Sequence, residues 1–127
     1  MNEENKRALL SILCHGSIFF SCFIVSVAIP LAILYTSKDR VVRANAKEAF
    51  NCHLTIYIWG IIGSVLIISG FILMPLIGFS LIWGLIGLII LLSIGFLNMI
   101  LPICGVVAVM NKPSIPYRYP EIFRLIK

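Results

Sequence analysis

Charged residues fall in three short clusters, Glu3–Arg7, Lys38–Glu48 and Lys112–Lys127, and the chain between them is almost wholly apolar. Ala8–Ser37 runs for 30 residues without a charge and Ala49–Asn111 for 63. A membrane-spanning helix takes about 20 apolar residues, so the first stretch holds one span and the second holds two. The pattern predicts an all-α integral membrane bundle of three transmembrane helices forming a single domain. The spans are expected over about 8–35, 46–71 and 76–110, with a loop at 36–48 and a tail at 111–127 that ends in a short amphipathic segment.

Local signals place the ends. Thr36-Ser37-Lys38-Asp39 offers several N-capping side chains, and Asp39 precedes Arg43 in the favourable i, i+4 order. The second helix is therefore expected to start near Asp39 and to enter lipid near Ala46. Pro30 falls in the last turns of the first span, where it removes a backbone hydrogen bond. Pro75 with Gly78 reads as a tight turn, and Pro102 as a kink in a long third span. In the tail, Pro120 can open a short helix with Glu121 in its first turn and Lys127 at its end. The preceding Tyr117-Arg118-Tyr119 is expected to lie as an extended strap, with its rings at headgroup depth.

Composition strengthens this picture. Hydrophobic residues make up 61% and charged residues 12% of the chain, against roughly 25% charged in a soluble protein. A soluble fold and a single interfacial helix are both excluded. Ser26-Val27-Ala28 fits a signal-cleavage pattern, but the N-terminus has no net charge and 18 apolar residues precede the candidate cut, more than the roughly 7–15 of a secretory signal. A retained helix is expected. The loop and tail carry eight Lys and Arg, whereas the N-terminus carries two. Positive-inside asymmetry then puts loop and tail in the cytoplasm and the N-terminus outside. The net charge of +5 thus calls for no nucleic acid.

Candidate chemistry is sparse. The four cysteines lie in apolar runs with no CxxC, and the two Cys-His pairs, at Cys14-His15 and Cys52-His53, are expected at different depths. No catalytic residue, metal or cofactor is predicted. Small residues at helical spacing, Ser80, Gly84, Gly87 and Gly95 on the third span and Gly60 with Ser64 on the second, favour close helix packing within the bundle. Their alternative role is a face for a second protein. His15, His53 and Asn98 are intramembrane polar groups expected to face protein or water. No intramembrane carboxylate accompanies the histidines, which argues against proton-coupled transport.

Val41-Val42-Arg43-Ala44-Asn45-Ala46-Lys47-Glu48-Ala49-Phe50-Asn51, with Ile29-Pro30-Leu31 and Tyr117-Arg118-Tyr119-Pro120, resembles a family of small bacterial membrane proteins related to the twenty-kilodalton translocon component of the chloroplast inner envelope. The resemblance covers nearly the whole chain and implies a helical membrane domain with loop and tail on the cytoplasmic or stromal side. It implies a bacterial plasma membrane, or a thylakoid or plastid membrane in a photosynthetic source. The chloroplast relative takes part in preprotein import and has four spans, the first of which is missing here.

Two functions follow as expectations. One is a translocon-like or assembly component that contacts polypeptides, with Asn51, His53, Asn98 and His15 lining a water-filled groove. The other is a structural accessory subunit of a larger complex; a passive channel ranks behind both. The partners expected are membrane lipids and other membrane proteins or further copies of the chain. Arg43, Asn45, Lys47, Asn51, Tyr117, Arg118, Tyr119, Pro120 and Arg124 are the expected interaction residues, forming one cytoplasmic unit of loop and tail.

Overall fold

The computed structural model describes residues 2–20, 23–73, 80–120 and 122–126. Among these the fold is all-α, with four α-helices: α1 (Glu3–Gly16), α2 (Phe23–Thr36), α3 (Arg40–Leu73) and α4 (Ser80–Asn111). The turn expected around Pro75 lies outside the described residues.

The single helix expected over 8–35 is instead two helices of 14 residues each. Gly16 ends α1, Ser17–Phe19 forms one 3₁₀ turn, and Phe20 is extended. The break is stabilised by Ser17, whose hydroxyl lies 2.8 Å from the Cys14 carbonyl and 2.9 Å from the Ser26 carbonyl. Pro30 explains the second acceptor. It has no N–H, so the carbonyl four residues earlier, at Ser26, loses its helical donor. That freed oxygen receives Ser17 and also the His53 ring nitrogen Nδ1, at 2.8 Å. Proline therefore joins α2 to α1 and α3 rather than merely bending the end of a span.

The chain then turns back on itself. Arg7 near the start of α1 meets Asp39 just after α2, with Nη2 2.7 Å from the carboxylate. The N-terminal cluster and the 37–39 connection are thus neighbours, not the opposite ends of one crossing. Asp39 also caps α3, its Oδ1 accepting the Val41 and Val42 amides at 2.8 and 3.2 Å. Burial would raise the Asp39 pKa, but the Arg7 hydrogen bond and those two amides outweigh it and hold the carboxyl below its ordinary value.

The chain divides into two compact units, Met1–Thr55 with Met99–Lys127, and Ile56–Asn98. In the first, Cys14, Leu34, Ala46 and Ala49 form the buried core, with Ile33 and Ile126 packed on it. Small side chains dominate where α1, α2 and α3 approach. The second unit pairs the C-terminal part of α3 with the N-terminal part of α4, antiparallel, through glycines. A Cβ on Gly87 would stand 2.6 Å from the Gly63 carbonyl oxygen, and one on Gly70 would stand 2.7 Å from the Gly84 amide nitrogen. Backbones that close exclude any side chain between them. α3 and α4 are both long and apolar enough to cross a membrane.

Candidate functional site

The first unit holds a clasp between α3 and the tail. Asn45, Glu48, Asn51 and Thr55 are spaced three, three and four residues apart, which puts them on one face of α3. All four are buried, and each bonds to tail backbone. Past α4 the chain turns at Lys112–Ile115, where the Ile115 amide donates to the Lys112 carbonyl at 3.1 Å. It then runs along this face without regular structure. The helix expected from Pro120 is absent from the described residues 122–126, where the amides of Phe123, Leu125 and Ile126 are bonded to α3 side chains instead of to one another.

Asn45 Oδ1 accepts the Tyr117 amide at 2.8 Å, and Glu48 Oε2 accepts the Tyr119 amide at 3.3 Å. Thr55 Oγ1 accepts the Phe123 amide at 3.0 Å. Asn51 binds hardest: its Oδ1 accepts from Leu125 and Ile126 at 3.0 and 3.1 Å, and its Nδ2 donates to the Ile126 carbonyl at 3.0 Å. Buried amides without partners are costly, so the polar face of α3 and the extended tail complete each other.

At the entrance, Asn45, His15 and Tyr119 interlock. The backbone amide of Tyr117 identifies Asn45 Oδ1 as an acceptor, and Nδ2 donates to Ser11 at 3.0 Å. His15 Nε2, 3.3 Å from the same Oδ1, must then carry the proton. Its Nδ1 lone pair accepts the Tyr119 hydroxyl at 2.8 Å. Burial pushes the Tyr119 phenol up, well above its ordinary pKa. The rings of His15, Tyr117 and Tyr119 meet edge to face, 5.0 to 6.0 Å apart. Gly105 on α4 makes room for them, since a Cβ there would stand 2.5 Å from the Tyr119 hydroxyl and 2.9 Å from the imidazole.

The expected residues separate into groups. Asn45, Asn51, Tyr117, Tyr119 and His15 come together in the clasp. Tyr119 is 1% exposed, so its ring is core and not a headgroup anchor. Arg124 donates from Nε to Glu48 at 3.0 Å and from Nη2 to the Tyr119 carbonyl at 2.8 Å. Arg43, Arg118 and Pro120 are exposed, and Lys47 is half-buried.

Asn51, His53 and His15 do not line a common groove: Asn51 holds the tail, His53 faces Ser26 and His15 meets Tyr119; Asn98 is the last residue of the second unit. Ser80, Gly84 and Gly87 pack within the second unit, against Gly70 and Gly63. Gly60 and Gly95 have open space around them, and the exposed Ser64 bonds back to Gly60. The residues sequence reasoning missed are Glu48 and Thr55 as tail holders, and Gly70 and Gly105 as points of close approach. The polar spacing 45, 48, 51, 55 was the available signal for the first two.

Fold and clasp define a small all-α protein with two candidate membrane-spanning helices and a tail-strapped polar end. The chain belongs to the MamF/MmsF family, the magnetosome magnetite crystal formation protein family, whose model matches residues 5–126. No curated protein and no solved structure matches it. The family match overturns the resemblance to the chloroplast import component, and with it the translocon-like function. The residues that suggested that kinship have a structural explanation: Asn45, Asn51, Tyr117 and Tyr119 build the clasp, which reports how the tail folds and says nothing of a transported polypeptide.

Proposed function

We propose that this chain is a membrane-embedded accessory protein without chemistry of its own, which presents a tail-clasped basic unit at one membrane face. The observation that carries this reading is where its apolar surface lies. Within the most apolar stretches of α3 and α4, 17% and 6% of residues are buried by the fold. Apolar surface left outward on that scale marks contact with lipid or protein. α1 and α2 each rise about 21 Å, short of a hydrocarbon core of about 30 Å. We therefore read them as a re-entrant hairpin, giving two spans where three were expected.

On this reading Arg7 and Asp39 share one side with the tail, and all ten Lys and Arg fall there, because Ala49–Asn111 carries none. The positive-inside rule makes that side cytoplasmic. Asp39 and Glu48 are engaged by Arg7 and Arg124, so the carboxylates serve the fold. Within magnetite crystal formation, the work named by its family, the chain would act by organising membrane and partner proteins.

Single cysteines at Asn2 and Ser114, in a background lacking the native cysteines, test the topology. Both are expected to label from the cytoplasmic side, and labelling from opposite sides would restore three spans. Putting this chain in place of a magnetite-forming relative in a bacterium that makes magnetite tests the role. Recovery of crystal size supports it, and crystals no larger than in the deletion strain overturn it.

A further inference from the structure

Where α1 begins, α2 ends and α3 begins, the first unit holds a cavity of about 410 Å³. In its wall Val42 is buried and Leu10 and Ile33 are half-buried, whereas Lys6 and Lys38 are exposed. The cavity is therefore apolar within and basic at its rim. Arg7 and Asp39 also line it, and they neutralise each other at 2.7 Å. Glu3 is the remaining acid of the lining, so two lysines stand against one carboxylate and the cavity stays positive. Neither lysine is in an ion pair among the described residues. The Ser37 hydroxyl, also in the wall, accepts the Asp39 amide at 3.2 Å, which leaves its own proton to donate. Charge-free chain starts at Ala8, just past Arg7, and ends at Ser37, just before Lys38. Both edges of that apolar stretch thus meet at this cavity, at the depth where hydrocarbon gives way to headgroups.

We propose that this cavity binds the phosphate of an anionic phospholipid between Lys6 on α1 and Lys38 on the α2–α3 connection, with the start of an acyl chain against Leu10, Ile33 and Val42. The cation of a zwitterionic headgroup would be added to two lysines, so a headgroup of net negative charge is preferred. Once bound, it ties together the two ends of the α1–α2 hairpin, which Arg7 and Asp39 already join. Basic pockets between membrane helices on the cytoplasmic side take such headgroups. This inference rests on the membrane reading above, and carbonate extraction of the membranes reports on that reading separately.

The test uses the full chain in nanodiscs of phosphatidylcholine with and without phosphatidylglycerol. The readouts are the lipid retained in native mass spectrometry and hydrogen exchange over residues 5–10. Phosphatidylglycerol is expected to be retained and to slow that exchange. Lys6→Gln and Lys38→Gln should each weaken its retention about fivefold, and Glu3→Gln should strengthen it. Lys112→Gln, the same charge change on the tail outside the cavity, should bind as the wild type does. All four side chains are exposed, so thermal midpoints in phosphatidylcholine alone should agree with the wild type. Should one lysine variant lower the midpoint, the other carries the comparison. Inorganic phosphate bound in phosphatidylcholine discs, with no preference for phosphatidylglycerol, would put a soluble anion in place of the lipid and overturn the proposal. Equal loss in Lys112→Gln and Lys38→Gln, or no difference between the two lipid mixtures in an extraction-resistant protein, would overturn it as well.

Discussion

The two compact units solve the same packing problem by opposite means. In Ile56–Asn98 the helices touch through backbone, glycine against glycine, and apolar side chains point outward along both. Polar groups gain little there: the Asn98 Oδ1 and Ser80 Oγ atoms are buried without a hydrogen-bond partner. The other unit is held by side-chain hydrogen bonds from α3 to the tail and from α1 to α3. An extended tail has unpaired amides along its length, so polar side chains can bind it wherever it runs. Two helices have already satisfied their backbones, which leaves close approach as the means of binding them. Each unit uses the interaction its backbone leaves available.

Changes at the glycine contacts should break that contrast most sharply. Gly87→Leu forces a side chain against the Gly63 carbonyl and the Ile67 amide, neither of which can swing away. We expect a loss at the upper end of the roughly 1–3 kcal/mol typical of overpacking. Hydrogen exchange should rise across Ile56–Asn98 while the tail amides stay protected. Asn51→Leu attacks the other unit, leaving the Leu125 and Ile126 amides without their acceptor. About 1–3 kcal/mol should be lost, with protease cleavage near the C-terminus as the readout and the glycine-packed helices unchanged. Gly105→Ala should also lower the thermal midpoint, since its Cβ would press on the Tyr119 hydroxyl and the buried His15 ring, and it should speed exchange of the Tyr119 amide.

The Arg7–Asp39 pair supplies a weaker test. The folded-state pKa of Asp39 is depressed, so its contribution is present above the unfolded carboxylate value and is lost as pH falls through the folded one. Asp39→Asn keeps an N-capping oxygen but removes the charge. It should cost about 0.2–1 kcal/mol at neutral pH, as for an exposed pair, and nothing once the wild-type carboxyl is protonated. Thermal midpoints measured from pH 7 down to pH 3 would show this convergence. Smallest of all, Gly84→Ala should stay within about 0.5 kcal/mol, because its Cβ would have nothing nearer than the Gly70 Cα at 4.0 Å. A large effect there would mean that a neighbour outside the chain reads this face.

Several features were legible because they depend on nearby residues. The capping run before α3, the length of α3 and α4 and the small-residue face of Ser80, Gly84 and Gly87 follow from spacing alone. The break in the first apolar stretch did not. Ala8–Tyr35 has the hydropathy of one span, and what divides it is a hydroxyl at Ser17 meeting a carbonyl freed by Pro30. Proline was visible and its missing bond was anticipated; the partners of the orphaned oxygen were not. The tail misled for the same reason. Pro120 and Glu121 have the form of a helix start, and the outcome turned on amide acceptors some 70 residues away, such as Asn51 for Leu125.

The sequence by itself determined that this chain is helical, apolar enough to cross a membrane and charged in only three short clusters, because hydropathy and charge act residue by residue. It also contained the polar stripe Asn45, Glu48, Asn51 and Thr55, though not the identity of what that stripe would hold. Only the tertiary structure decided that Arg7 meets Asp39, that Tyr119 is core and that Gly105 admits it. The hydrogen bonds behind those outcomes join residues 30 to 104 positions apart, and such pairings leave no periodic trace in a single chain.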